Sequence, residues 1–411
     1  MAEIIFFIII GLLVADFIFE RVLEYLNFTM ISGDLPEEIS DIYSPDEYAK
    51  QQAYQKVNYR FSFFSSTFSF VLMLVMVVFS GFAFVNGWAF SLTSNPILGA
   101  LFFFGILLFA SDILTTPFSV YDTFVIEQKF GFNKTTPKIF VFDKLKGYLL
   151  GAVIGGGLLA LIMYIYQLTT TSFWIYAWFI VSGFSILMVL FYSTLIVPLF
   201  NKQTPLPEGE LKTAIESFAN KVGFKLDNIF VIDGSKRSTK ANAYFTGLGA
   251  KKRIVLYDTL INDMTTNELV AVLAHEIGHY KKHHVVWSLF LGIIQTGITL
   301  FLFSLFVSSP ELSAALGVDR PSFHIGLIAF GILYSPISLI TGLFMNVFSR
   351  KNEYQADAFA AQYFSADELA SALKKLSVKN LSNLRPHPLY VFFHYSHPTL
   401  LQRLNALKSV R

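Results

Sequence analysis

Apolar positions along the 411 residues gather into seven runs, at 4–19, 61–84, 97–118, 148–168, 173–200, 285–307 and 325–348. A helix that crosses a bilayer needs about 20 apolar residues. Each run comes near that length or exceeds it, so the pattern predicts seven transmembrane helices. The first run reads as a retained span rather than a signal peptide: only Glu3 precedes it among charged residues, and it has no small-residue cleavage site. Its helical pattern continues through Glu20, Arg21 and Leu26. Clusters such as Phe61, Phe63 and Phe64, or 102–104, read as lipid-facing or packing aromatics.

Two polar stretches break this pattern. Residues 201–284 hold strand-like runs at 228–232, 243–246 and 253–257, and Gly247, Gly249 and Ala250 predict a hairpin between the last two. A helix follows over 265–284. Thr265 and Glu268 stand at capping-box spacing, Leu269, Val272, Leu273 and Ile277 form an apolar stripe, and Lys281 and Lys282 suit the negative end of the helix dipole. Residues 350–411 read as helical, with amphipathic pieces at 356–363 and 366–376. The chain thus divides into 1–200 with five spans, 201–284 as a folded segment, 285–349 with two spans, and 350–411 as a second folded segment. Both polar segments emerge on one side of the membrane, so they can form one domain.

Composition agrees. Hydrophobic residues make up 54% of the chain and charged residues 15%, against about 25% charged in ordinary soluble domains. A net charge of +2 argues against a nucleic-acid partner. With no cysteine, disulfides and thiolate metal sites are excluded. Of the 31 Lys and Arg residues, all but Arg320 fall on one side of the predicted spans. By the positive-inside rule that side is cytosolic, leaving the N-terminus outside or lumenal. Asp16 and Asp112 lie inside spans, where carboxylates are costly, and read as lining a solvated interior.

The candidate chemistry begins with His275, Glu276 and His279, the pattern H-E-x-x-H on the predicted helix. Residues i and i+4 share a helix face, so two imidazoles there can grip one zinc ion while the glutamate serves a metal-bound water as general base. A chance pattern on a buried helix is the plain alternative. A catalytic zinc usually takes three protein ligands and keeps one open position. Glu353 is the candidate third ligand. Asp357, four residues on, can hydrogen-bond a ligand histidine. The alternative is a solvated acidic pair just past a span. His283 and His284 read as interfacial or exposed, and His324 as lying across the bilayer from the site. No ligand spacing recruits His387 or His394.

Taken together, 275–279 (HEIGH), 349–357 (SRKNEYQAD) and 394–403 (HYSHPTLLQR) resemble the type I CaaX prenyl endopeptidases, integral-membrane zinc proteases. The stretches 130–147 and 235–249 are similar to that family too, and the similarity covers most of the chain. The resemblance implies seven long helices enclosing a water-filled chamber, with a cytosolic zincin-like α+β protease domain. It implies one zinc per chain, held by His275, His279 and Glu353, with Glu276 as base and Asp357 behind a ligand. His397 would stabilise the oxyanion, and Arg403 would be a polar partner in the same site. Residues Asn242, Ala243 and Tyr244 would form an edge strand on which substrate backbone lies. The expected substrate is a peptide or protein whose last three residues follow a prenylated cysteine, met at the membrane surface beside lipid. In a eukaryote the membrane would be that of the endoplasmic reticulum, in a bacterium the cytoplasmic membrane. General cleavage of membrane or misfolded proteins is a second reading, and a non-catalytic transporter or scaffold a third.

Overall fold

A computed structural model describes residues 1–31, 35, 40–225, 229–246 and 253–410. Five long apolar helices come first: α1 (Ala2–Thr29), α2 (Pro45–Val78), α3 (Pro96–Phe130), α4 (Pro137–Thr169) and α5 (Phe173–Phe200). The starts of α2, α3 and α4 are set by side-chain caps followed by proline. Ser44 and Glu47 form a capping box ahead of α2, Asn95 accepts from the N–H groups of Ile97 and Leu98, and Thr136 accepts from Ile139. Two boundaries differ from the sequence reading. The run at 61–84 is not one helix, because α2 ends at Val78 and Ser80 takes a left-handed conformation (φ 52°) before a separate helix, Gly81–Ser91. At the other end α2 reaches back to Pro45. It therefore carries Lys50, Lys56 and Arg60, and α4 likewise carries Lys138, Lys144 and Lys146.

After α5 the chain forms β1 (Gln203–Pro205), α6 (Glu210–Lys221), β2 (Ile229–Ile232), β3 (Ala243–Thr246) and β4 (Arg253–Tyr257). The strands lie in the order β1-β2-β4-β3, with β2 and β4 parallel and both outer pairs antiparallel. Pairing of β3 with β4 agrees with the predicted hairpin; its turn residues Gly247, Gly249 and Ala250, like residue 228, lie outside the described residues. β3 pairs only with β4 among the described strands, which leaves it at the edge. Next comes α7 (Thr266–Lys281), whose capping box forms as predicted: Thr265 Oγ1 accepts from the N–H of Glu268 (3.2 Å), and Glu268 accepts from that of Thr265 (2.8 Å).

Helix α8 (His284–Phe306) is the sixth long apolar helix. The seventh run is broken: α9 (Phe323–Leu333) and α10 (Ser335–Tyr363) meet at 60°, with Pro336 in the first turn of α10, where its missing N–H cannot extend the preceding helix. Beyond its apolar part α10 continues to Tyr363, so the predicted piece at 356–363 is the end of this helix and not a separate one. The chain closes with α11 (Ala366–Lys379), α12 (Pro388–His394) and α13 (Leu400–Val410).

One core joins the two polar segments. Leu269, Leu273 and Ile277 of α7 share one buried cluster with Ile215, Phe218, Ile254 and Leu256 of the first segment and with Phe359, Leu373 and Leu404 of the second. The six long helices are different: only 6–17% of the residues in their apolar windows are buried within the protein. So large an uncovered apolar surface marks lipid as the solvent, and the protein is a multi-pass membrane protein.

Candidate metal centre

Helical period places His275 and His279 one above the other on α7, and a glycine brings the next helix to them. A Cβ at Gly278 would stand 3.0 Å from Ala356 Cα and 3.1 Å from Phe359 Cβ, so α10 crosses α7 in near contact only because that side chain is missing. The crossing delivers Glu353. Its Oε1 is 3.2 Å from His279 Nε2, its Oε2 is 3.5 Å from His275 Nε2, and the two Nε2 atoms are 3.1 Å apart. Ligand atoms of all three lie within 4.8 Å of one another. Donors sharing a tetrahedral ion at about 2.0–2.1 Å stand about 3.3–3.4 Å apart. The triangle therefore fits a divalent cation, and two imidazoles with one carboxylate suit zinc.

The imidazole planes are fixed from behind. His275 Nδ1 donates to Asp357 Oδ1 at 2.8 Å, leaving the Nε2 lone pair facing the triangle. Asp357 in turn accepts from Arg403 Nε (2.8 Å) and Nη2 (2.6 Å). Burial disfavours charge on Arg403, but the hydrogen bonds and charge of Asp357, with that of Glu353, hold its pKa above the ordinary value. On His279, burial also opposes charge, yet the hydrogen bond and charge of Glu353 outweigh it and raise the pKa. Strong local negative charge of this kind is what a cation would neutralise.

His284 does not match its sequence reading. It is 5% exposed, not interfacial, and its Nδ1 lies 2.9 Å from His279 Nδ1, while its Nε2 lies 3.0 Å from Gln355 Oε1. His283 is exposed as expected, with a left-handed backbone (φ 57°) that turns His284 back toward α7. His324 is buried against Asn86 Oδ1 (2.7 Å), His387 caps α12, and His394 stands 3.3 Å from Glu20. None of the three joins the centre. Asp112, read in the sequence as lining a solvated interior, is partly exposed, and Lys144, which the early start of α4 carries alongside α3, pairs with both its oxygens at 2.7 Å.

A cavity of about 380 Å³ opens on the triangle, and its wall includes Asn242, Ala243, Tyr244, Glu276, His397 and Arg403. The residues singled out in the sequence therefore converge, apart from Asp357, which sits behind His275. Glu276 is half-buried and lines the same cavity as the histidines. His397 is exposed on the segment before α13, with Nε2 3.4 Å from Glu353 Oε1. A residue not singled out, Asn380, holds the approach to β3: its Oδ1 accepts from the N–H of Ala241 (3.1 Å) and its Nδ2 donates to the Ala241 carbonyl (3.2 Å).

Comparison with known proteins gives a consistent result. Residues 25–202 match the family described as the CAAX prenyl protease N-terminal region, with five membrane helices, and residues 205–411 match peptidase family M48. The chain is 38% identical to CAAX prenyl protease 1 of Saccharomyces cerevisiae, over 98% of this chain and 95% of that one. With the CAAX prenyl protease 1 homolog of Homo sapiens it shares 33% identity, over 92% and 89%. The crystal structure of S. mikatae Ste24p superposes with a TM-score of 0.94 at 37% identity, covering 98% of this chain and 99% of that chain.

Proposed function

This chain belongs to peptidase family M48 and is a membrane metalloendopeptidase, and from that premise we propose that it is a zinc enzyme that removes the C-terminal tripeptide of prenylated CaaX proteins at the cytosolic membrane face. The observation that carries the reading is the triangle of His275, His279 and Glu353 on the wall of a cavity shared with Glu276 and the start of the edge strand. His275, His279 and Glu353 would hold the ion, which when bound supplies Lewis acidity to a water and to the scissile carbonyl.

The chain's own residues account for the remaining steps. Substrate lies as an added strand against Asn242, Ala243 and Tyr244, with main-chain hydrogen bonds fixing its carbonyl in the cavity. Glu276 takes a proton from the attacking water as the water oxygen bonds to the carbonyl carbon. A ring N–H of His397 donates to the carbonyl oxygen as negative charge builds there. The C–N bond then breaks, and Glu276 passes its proton to the leaving amine. Asp357 and Arg403 keep His275 in one tautomer throughout.

The names of the relatives support the lipid requirement, and the one-sided distribution of Lys and Arg supports the sidedness. Incubating purified protein with a farnesylated CaaX peptide and with its unlipidated twin tests the substrate. Preferential release of the tripeptide from the farnesylated peptide is expected. Equal cleavage of both would favour a general membrane-protein protease, and cleavage of neither by zinc-loaded protein would overturn the proposal.

A further inference from the structure

The two histidines of the triangle are braced by different chemistry. Behind His275 stands a carboxylate, Asp357, charge-balanced by Arg403. Behind His279 stands His284, the first residue of α8, and behind that Gln355 of α10. Two nitrogens 2.9 Å apart require that one carry the proton and the other a lone pair. His284 Nε2 faces the Gln355 amide oxygen at 3.0 Å, and an oxygen there can only accept, so Nε2 carries the hydrogen. Neutral His284 then has its lone pair on Nδ1. His279 must donate from its own Nδ1, which leaves the lone pair of its Nε2 facing His275 and Glu353.

We propose that His284 and Gln355 are positioning residues for His279, setting its tautomer and ring plane for the metal through the chain His279 Nδ1–H, His284, Gln355. The backbone bears this out independently. His283 adopts a left-handed conformation that is uncommon outside glycine. That kink lets residue 284 reach residue 279, which straight helical spacing would not allow, and it turns a side chain at the head of an apolar helix inward to 5% exposure. Three helices, α7, α8 and α10, each contribute one member of the chain. A neutral brace on this side adds no further negative charge beside Glu353, unlike the carboxylate behind His275.

This inference rests on the metal reading above, and its test separates the two. Full-length protein would be purified in detergent as wild type, His284→Phe, Gln355→Leu and Gln355→Glu. Zinc affinity is measured by competition with a chromophoric chelator, and the Tm of the metal-free protein is measured alongside. His284→Phe and Gln355→Leu should weaken zinc binding about 10–100-fold, as loss of such partners typically does, with little change in metal-free Tm. Gln355→Glu keeps an acceptor for His284 Nε2–H and should hold affinity near wild type. A purely space-filling role would instead spare Gln355→Leu. Wild-type affinity in Gln355→Leu, or equal weakening in Gln355→Glu and Gln355→Leu, overturns the inference while leaving the metal reading intact. Failure of the wild type itself to bind zinc overturns both. Should His284→Phe fail to fold, the Gln355 pair still decides.

Discussion

Arg403 and Asp357 meet side-on, two guanidinium nitrogens against two carboxylate oxygens at 2.8 and 2.6 Å, forty-six positions apart in sequence. The pair ties the C-terminal helix to the back of His275. A buried carboxylate so held is a rigid acceptor, and removing its charge should loosen the imidazole it orients. Asp357→Asn should therefore lower zinc affinity about 10–100-fold. Chelator competition on purified protein checks this, and unchanged affinity would place the pair in stability alone.

In the proposed mechanism Glu276 and His397 act at different moments, so their variants should fail differently. Glu276→Gln keeps shape and removes the proposed base, so zinc content should be unchanged while kcat falls about 10²–10⁴-fold. His397→Ala removes the proposed donor to the developing oxyanion and should cost about 10²–10³ in kcat. Metal analysis beside single-turnover kinetics separates both from variants that merely lose the ion. A Glu276→Gln protein with near wild-type turnover would exclude that residue as base.

Gly278→Ala tests the helix crossing. The added methyl would meet Ala356 Cα at 3.0 Å, a backbone atom that cannot swing away. Overpacking of this kind costs about 1–3 kcal/mol, and here it pries Glu353 from the histidines. Both Tm and zinc affinity should drop, whereas a helix whose glycine was only permissive would gain slightly from alanine.

Glu268 links the start of α7 to α11. It accepts from Ser371 (2.6 Å) and Lys375 (2.7 Å) as well as from the Thr265 N–H. Burial pushes its carboxyl up, but these hydrogen bonds and the Lys375 charge outweigh burial and leave the pKa below the usual glutamate value. A folded pKa below the unfolded one stabilises the protein above the unfolded pKa. That contribution is lost as pH falls through the folded value. Thermal stability of wild type should thus decline toward acid more steeply than that of Glu268→Gln, with the gap closing below the ordinary glutamate range. Parallel curves would show that Glu268 contributes no charge-dependent stability.

What the sequence made legible follows from range. The H-E-x-x-H spacing, the Thr265–Glu268 box and most of the apolar runs are local, and helical period alone interprets them. Glu353 could be proposed as a ligand but not located, since its approach depends on Gly278 and on a contact seventy-odd positions away. His284 departs from the sequence expectation because a residue at the head of an apolar helix is ordinarily at the interface; the left-handed His283 turns it inward, and no composition signal announces that. Strand β1 leaves no strand signal in the sequence because it has three residues and ends in a proline that cannot donate. The break at Tyr334 carried a signal, Pro336, submerged in continuous hydrophobicity.

Because the centre draws on α7, α10 and the segment before α13, it cannot be finished in the order in which the ribosome releases the chain. The histidine pair emerges first, then two further membrane passages must be threaded before residue 353 arrives, and residues 397 and 403 follow later still. A growing polypeptide therefore carries no working protease while its helices are still being inserted, and an interrupted one never acquires it. Hydrolytic competence is in this sense a readout of completed insertion.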